Sequence, residues 1–390
     1  MRRFTVEDRR ARLVRRHHLA TGTQVATAVQ VARDLVGLHA TDPSSVFLAA
    51  AARMRAPHVE AIERNLYEHR SLVRMLGMRR TMWVLPRELA SVVQAACTRA
   101  IAVRERLVLV RILEESGVAD ASRWLDRVGN ATVKALAKDG NATAAQLATA
   151  VPDLRTKLRL AGGKTYEATP NATSYVLMRL AADGRIVRGR PRGPWTTNQY
   201  SWATLESWLP GGFEDWAVEK AQAELARRWL TAFGPAPVSD LRWWTGWTAG
   251  EVKRALTGLG PEEVDLDGTT GIALRGDVEP PKRTQPRAAL LPGLDPTVMG
   301  WLERRWFLGG HGAALFDRTG NAGPTVWWDG RVVGGWAQRK DGEVVFRILE
   351  DVGRDTMAAI KTEAERLSGW IGSARITPRF RTPLERALSS

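Results

Sequence analysis

The sequence predicts an α+β protein with three tandem winged-helix units and a C-terminal antiparallel β domain in the form of a partial barrel. The chain has 390 residues, of which 44% are hydrophobic, so it is long enough to form several packed units. Apolar residues recur at helical spacing along most of it, and segments typical of β-hairpins follow the helical ones three times. From about residue 280 the sequence becomes rich in glycine, tryptophan and valine, and Asp329-Gly330 between apolar residues predicts a further hairpin.

The changes of pattern divide the chain into five predicted parts. They are a basic N-terminal helix with the first winged helix (1–87), a helical bridge (88–140), the second winged helix (141–205), the third winged helix (206–279) and the C-terminal β domain with a final helix (280–390). In the N-terminal helix, seven arginines precede His17, and Thr5 and Asp8 have the spacing of a capping pair. This basic face is either solvated or directed towards phosphate.

In the first unit, Thr21 and Gln24 have the spacing of a helix capping box and predict a helix that starts near them. Further helices are expected over about 43–54 and 57–68. Residues 72–86 combine β-branched and aromatic residues with a central glycine and a closing proline, which predicts a hairpin. Helices followed by a hairpin are the order of a winged helix, which places a helix in the major groove and its hairpin, or wing, on the backbone or the minor groove.

The bridge is expected to be helical from about residue 88 to residue 137, because apolar residues recur every three or four positions. The second unit then opens with a capping box at Thr143 and Gln146. Its last helix is predicted over 174–184, and an arginine-rich wing follows over 185–202.

The third unit has the clearest pattern. Residues 238–252 combine a helix, a short turn and a second helix whose capping box is formed by Thr248 and Glu251, which is typical of a helix-turn-helix. Two strands over about 263–274 supply its wing. A last helix over about 355–371 ends the predicted fold.

Charge and composition narrow the possible partners. The chain has 57 Lys and Arg against 42 Asp and Glu, a formal net charge of +15, which favours a polyanion, although an arginine excess also follows from codon bias. The single cysteine, Cys97, excludes an intramolecular disulfide and a multi-thiolate zinc site, and no histidine has metal-ligand spacing. We therefore expect no metal and no cofactor. The N-terminus has no apolar signal segment and no stretch has membrane-spanning length, which predicts a cytoplasmic, nucleoid-associated protein without membrane contact.

Three segments carry a resemblance to a known family. They are Gly-Leu-His-Ala-Thr-Asp-Pro at 37–43, Leu-Gly-Met-Arg-Arg-Thr at 76–81 and Asn-Ala-Gly-Pro-Thr-Val at 321–326. In this order, the sequence resembles the bacterial winged-helix DNA glycosylases of the azinomycin-resistance type over nearly its whole length. The resemblance implies a monofunctional glycosylase that hydrolyses the N-glycosidic bond of alkylated or cross-linked purines in double-stranded DNA.

The resemblance also implies catalytic candidates between the first and second helices. The family carries there a Gln-apolar-Gln or Gln-apolar-Asp triplet that holds the attacking water, and His39-Ala40-Thr41 occupies its place, so both polar positions differ. His39 is a candidate to accept a proton from water, and Thr41 is a candidate to orient it. Asp42 is a candidate base or stabiliser of the sugar cation, but Asp42-Pro43 is equally an N-cap with proline at the first helical position.

The candidate DNA-binding residues lie in the first two predicted wings. They are Arg74, Arg79, Arg80, Trp83, Arg185, Arg188 and Arg190. Arginine pairs with phosphate through a planar fork, and an aromatic residue can wedge into a base step. Trp83 stands where related enzymes tend to carry a histidine, and packing beneath the wing is the alternative to a wedge.

Two hypotheses of function follow from the sequence. One is the glycosylase, and the other is a non-catalytic winged-helix DNA-binding protein, a regulator or lesion-masking factor that lacks the family's glutamine triplet. The lack of an obvious dimerisation helix or ligand-sensing domain favours the enzyme, acting as a monomer because tandem units already supply several DNA contacts. A protein that only contacts other proteins fits the positive charge poorly. Both leading hypotheses require the arginines to line one concave basic surface.

Overall fold

The computed structural model describes residues 1–160 and 168–390 and has the α+β composition that the sequence predicts. The first part of the chain contains β1 (Arg2–Arg3), α1 (Val6–Arg16), α2 (Ala28–Asp34), β2 (Leu38–His39), α3 (Pro43–Ala51), α4 (Val59–Glu63), β3 (Leu72–Leu76) and β4 (Met82–Pro86). Helix α4 continues as a π-helical segment, Arg64–Glu68. The strands form an antiparallel sheet of order β2-β4-β3, and a 3-10 turn, Met78–Arg80, joins β3 to β4. The predicted hairpin is therefore present.

The capping box of α2 lies six residues after the one expected at Thr21 and Gln24. Its N-cap is Thr27, whose side chain accepts a hydrogen bond from the amide of Gln30, and the Gln30 side chain completes the box. The Gln24 amide instead donates to the carbonyl oxygen of Ala20 at 2.7 Å, which holds a turn. Two Thr-x-x-Gln pairs compete here, and the one directly before the apolar helical face caps the helix.

Some arginines of α1 are buried inside the protein, so they face neither solvent nor phosphate. Arg9 is buried with its guanidinium Cζ 4.1 Å from the centroid of the Trp306 ring. Arg12 is buried as well, and its Nη1 lies 3.0 Å from a carboxylate oxygen of Asp277. These contacts pack α1 against later parts of the chain.

The second part of the chain is mostly helical and ends in a small sheet. It contains α5 (Arg87–Val93), α6 (Arg99–Glu115), α7 (Ala121–Asp139), β5 (Ala142–Thr143), α8 (Ala144–Ala150), α9 (Thr173–Ala182), β6 (Ile186–Pro191), β7 (Tyr200–Thr204) and α10 (Leu205–Trp208). The bridge that was predicted as wholly helical has a break around Gly117, whose φ of +83° suits glycine. The sheet order is β5-β7-β6, and a β-bulge lies between Arg188 and Pro191.

The third part contains a long helix, two short helices and a hairpin. These are α11 (Val218–Phe233), α12 (Val238–Thr245), α13 (Ala249–Thr257), β8 (Glu262–Asp265) and β9 (Thr270–Ala273). The predicted capping box of Thr248 and Glu251 is present at the start of α13. The N-terminal β1 completes this sheet, because Arg2 pairs in parallel with Val264 and Phe4 is buried beside it.

The C-terminal part consists of an antiparallel sheet with helices around it. It contains β10 (Ala289–Leu291), α14 (Arg305–Leu308), α15 (Gly312–Leu315), β11 (Thr325–Trp328), β12 (Arg331–Gln338), β13 (Val344–Ile348), α16 (Arg354–Ile371) and α17 (Pro383–Ser389). The sheet order is β10-β11-β12-β13. The expected last helix is α16, but α17 follows it and packs on β12, so the predicted end of the fold was wrong.

Most of the interior is one continuous apolar core. It joins the first, third and C-terminal parts, since Leu13, Val84, Trp229 and Trp327 belong to one buried cluster. The later turns of α6 and the helices α7, α8 and α9 surround a second core. In the described ranges, no helix combines the length and the apolar character needed to span a bilayer.

Candidate functional site

The segment 39–42 connects β2 to α3 at the edge of the first sheet. His39 ends β2, and the Ala40 amide donates a hydrogen bond of 2.8 Å to the Met82 carbonyl oxygen of β4. The backbone is therefore paired as far as Ala40. Beyond Ala40 the chain bends at Thr41 and Asp42 and enters α3 at Pro43.

His39 and Thr41 each bury a polar atom that has no hydrogen-bond partner within the described residues. These atoms are His39 Nδ1 and Thr41 Oγ1, and His39 as a whole is 6% exposed. Burial, reinforced by the positive charge of Arg79, lowers the pKa of His39 to about 3, so the imidazole is neutral at physiological pH. Buried polar atoms nearly always have partners, and two such atoms two residues apart in the segment 39–42 indicate a position for a polar ligand such as water.

Asp42 is the N-cap of α3. One carboxylate oxygen accepts hydrogen bonds from the amide and the hydroxyl of Ser44, at 3.0 and 2.7 Å. The other accepts from the backbone amide of Arg379 at 2.9 Å. Both oxygens are therefore engaged, and Asp42 ties the C-terminal part of the chain to the segment 39–42.

The tip of the first hairpin is held against its neighbours on two sides. Arg79 and Arg80 both have positive φ, 55° and 59°, which is uncommon for residues with a side chain. The Arg79 guanidinium stacks on Trp243 of α12, with Cζ 3.9 Å from the ring centroid. Arg80 forms an ion pair of 2.7 Å with Glu105 of α6. Such strained positions persist where the surroundings hold them, and they occur often at functional sites.

Trp83 lies beneath this hairpin and is 3% exposed. Its indole Nε1 donates to the Thr81 hydroxyl at 2.9 Å, and its ring centroid is 5.1 Å from that of His39 and 5.6 Å from that of Trp244. In this position Trp83 offers no surface to DNA. Trp83 therefore packs beneath the wing and is not placed to wedge into a base step.

Two hollows open near the segment 39–42, and we name them by their walls. The α12–α13 hollow, of about 1070 Å³, is lined by Arg79 and by α12 and α13 with the cations Arg242 and Lys253. The C-terminal hollow, of about 830 Å³, lies between α15 and the approach to α17. The arginines on its walls are Arg318, Arg379, Arg381 and Arg386. Both hollows thus present positive charge.

Arg304 joins the two hollows. Its guanidinium Cζ lies 4.8 Å from the ring centroid of Trp243, which lines the first, and 4.8 Å from that of Phe316, which lines the second. Burial and the nearby charge of Arg79 lower its pKa to about 10, so it remains a cation at neutral pH. The segment 39–42 is linked to both hollows. The charge of Arg79, in the first, lowers the pKa of His39, and the backbone amide of Arg379, in the second, donates to Asp42.

Of the four other predicted arginines, Arg74 and Arg188 lie close to the segment 39–42. Arg74 is buried, donates from Nη1 to the Ala40 carbonyl oxygen at 2.9 Å, and lies over the Tyr200 ring with Cζ 4.8 Å from the centroid. Arg188 lies 5.4 Å from the same centroid. These two arginines therefore meet beside Ala40.

The remaining two arginines are placed elsewhere. Arg185 donates to the side-chain oxygen of Asn130 on α7 at 2.8 Å. Arg190 is partly exposed and forms ion pairs with Glu63 and Glu68, each at 2.9 Å. Arg185 and Arg190 lie outside the residues that line the two hollows, and their DNA contacts stay predictions.

A comparison with known protein families shows which family the chain belongs to. The model of the family described as DNA glycosylase AlkZ-like matches residues 32–370. The chain belongs to the AlkZ-like DNA glycosylase family. This confirms the resemblance carried by the segments at 37–43, 76–81 and 321–326, and it favours the enzyme over the non-catalytic alternative.

The fold of this AlkZ-like glycosylase is also similar to a solved one. Streptomyces sahachiroi DNA glycosylase AlkZ superposes with a TM-score of 0.73 and 23% sequence identity, covering 94% of this chain and 97% of that one. No curated protein matches the sequence. At this identity the likeness concerns the fold.

Sequence reasoning missed several residues of the site. Arg304 and Arg379 were not singled out, and Trp243 was not among the candidate DNA-binding residues, although it stacks with two guanidinium groups. The alternation of arginine with Phe380 was the one local signal for the C-terminal hollow. Across residues 1–160 and 168–390, no three His, Cys, Asp or Glu side chains form a group that could hold a metal ion.

Proposed function

We propose that this AlkZ-like glycosylase is monofunctional, acts as a monomer on double-stranded DNA and hydrolyses the N-glycosidic bond of alkylated or cross-linked purines. The observation that supports this best is the pair of unpartnered buried atoms, His39 Nδ1 and Thr41 Oγ1, in the segment 39–42. We assign them to the attacking water. The two positions correspond to the polar positions of the family triplet.

The chemistry requires little acid catalysis. Alkylation at N7 of guanine or N3 of adenine makes the base cationic, so the C1′–N bond breaks with its electron pair leaving on the base. The sugar becomes an oxocarbenium ion, and the water oxygen forms the new bond to C1′. His39 accepts a hydrogen bond from this water at Nδ1, and the Thr41 hydroxyl orients it. With a pKa of about 3, His39 positions the water, and the released proton passes on to solvent.

Asp42 has a positioning role in this proposal. Its carboxylate holds the first turn of α3 through Ser44 and fixes Arg379 at the edge of the C-terminal hollow. Its negative charge also lies next to Thr41, where it favours a developing sugar cation. The base role considered for Asp42 would require it to give up these hydrogen bonds.

We infer a DNA path along the two hollows joined by Arg304. The cations Arg79, Arg242 and Lys253 on one side and the arginines of the C-terminal hollow on the other fit a polyanion. The three helix–sheet blocks at 1–87, 141–205 and 206–279 are assigned as winged-helix units. Residues 88–140 are assigned as the bridge and 280–390 as the C-terminal β domain. Each sheet carries an antiparallel hairpin that serves as a wing.

The proposal is tested by base release from a duplex that contains one N7-methylguanine, measured by alkaline strand cleavage under single-turnover conditions. Thr41→Val removes only the hydroxyl, and His39→Ala removes the imidazole, so each should lower the rate by about 100-fold. DNA affinity should change by less than about 3-fold, because neither residue neutralises a phosphate. Thr362→Val on the exposed face of α16 is the matched control.

Wild-type rates in both Thr41→Val and His39→Ala would contradict the water site. His39→Gln restores the residue type of the family triplet and should retain base release. The same lesion in single-stranded DNA should react more slowly, and a cross-linked duplex should be unhooked. Sedimentation of the enzyme with its duplex should give a 1:1 complex.

A further inference from the structure

Three arginines lie near one another beside Ala40, and in the described residues none of their guanidinium groups forms an ion pair with a carboxylate. Arg74, Arg188 and Arg379 come from β3, β6 and the segment before α17. Arg74 and Arg188 share the Tyr200 ring, and the charges of Arg74 and Arg379 both act on Arg188. Like charges repel, so a cluster of this kind is stable only with an anion or with strong support from its surroundings.

The surroundings supply aromatic rings and a sulfur atom but no carboxylate: Arg188 lies over the Tyr200 and Trp202 rings and donates to the Met178 sulfur at 2.9 Å. Within the described residues, none of the three arginines forms an ion pair with a carboxylate, and Arg74 is 4% exposed with Nε and Nη2 lacking acceptors. Tyr67 lies against Arg74, but burial raises its pKa to about 12, so it stays neutral. Burial, together with Arg74 and Arg379, lowers the pKa of Arg188 to about 10, where it is still a cation.

The backbone next to Arg188 has an irregularity that affects the direction of the side chains. The β-bulge after Arg188 sets Gly189 and Arg190 opposite a single residue of β7, and bulges re-aim neighbouring side chains. Gly189 has no room for a side chain, because a Cβ there would lie 2.9 Å from the Ser201 hydroxyl oxygen. By contrast, Arg190 two positions along the same strand is satisfied by two glutamates.

We propose that Arg74, Arg188 and Arg379 form a subsite for one backbone phosphate next to the damaged nucleotide, which places its C1′ near His39 and Thr41. This inference rests on the proposed function. Arg379 lines the C-terminal hollow and is the exposed member, so the phosphate enters from there and contacts Arg379 and Arg188. Arg74 supports them from within and couples the subsite to the segment 39–42 through the Ala40 carbonyl.

The test is a set of lesion duplexes in which one phosphate at a time is replaced by an uncharged methylphosphonate. For the wild type, one position flanking the lesion should weaken binding by about 10-fold or more, since one charged contact is lost. Arg188→Gln and Arg379→Gln should bind normal DNA about 10-fold more weakly and be insensitive to the substitution at that position. Arg227→Gln is the matched control, because Arg227 is exposed on α11 and paired with Glu224, outside both hollows, and it should respond as the wild type does.

Equal sensitivity of the wild type and both variants to every methylphosphonate would overturn the subsite. Arg379 is exposed, so its variant keeps the test valid even if Arg188→Gln fails to fold. Binding is measured without base release, so the outcome is separate from that of the water site. Loss of base release in Thr41→Val with an unchanged methylphosphonate profile would support both assignments.

Discussion

Replacing His39 by glutamine should weaken the dependence of the free energy of unfolding on pH. Burial, with a contribution from Arg79, lowers the pKa of His39 from 6.5 to about 3 in the folded chain. The unfolded chain therefore binds a proton below pH 6.5, whereas the folded chain does so only near pH 3. The free energy of unfolding must fall as the pH falls through this window.

The size of the effect follows from the same pKa. Each pH unit below 6.5 costs about 1.4 kcal/mol, so the contribution of His39 at pH 5 is about 2 kcal/mol. Urea unfolding of wild type and His39→Gln at pH 5, 6 and 7 measures it. Comparing the change from pH 7 to pH 5 cancels any constant packing difference, and the buried His17 is present in both proteins.

The control is His58→Gln, the same exchange at an exposed histidine outside the segment 39–42. An identical slope in wild type and His39→Gln would refute the reasoning. It would mean that His39 takes a proton in the folded protein at pH 5, which contradicts its burial away from solvent.

Two further predictions concern packing. Gly37→Ala should lower the free energy of unfolding by about 2 kcal/mol and reduce base release, because Gly37 has φ +109° and a Cβ there would lie 2.5 Å from Leu85 Cδ2 just before β2. Urea unfolding and alkaline cleavage measure this, and unchanged stability would contradict it. Gly258→Ala is the control, because Gly258 has φ −72° and nothing lies within 4 Å of a Cβ there. Burial raises the pKa of the Cys97 thiol to about 12, so Ellman's reagent at pH 8 should react only after denaturation. Rapid reaction of the native enzyme would show that this core opens.

Local signals predicted much of the secondary structure. The capping boxes at Thr5, Thr143 and Thr248 and the hairpin at Asp329-Gly330 depend on groups only three or four residues apart. The same rule failed at Thr21, where two capping pairs were equally good locally. The order of three short segments was enough to predict the family.

The sequence by itself determined the α+β class, the positive charge and the position of the residues that replace the family triplet. Only the tertiary structure decided that His39 is buried beside Arg79 and that both oxygens of Asp42 are engaged. It also brought Arg304 and Arg379 to the site. The partners of Asp42 include an amide 337 positions away, and burial depends on how such distant segments pack. Short-range sequence patterns do not show which distant segments come together. They therefore do not show which charged groups lose their contact with solvent.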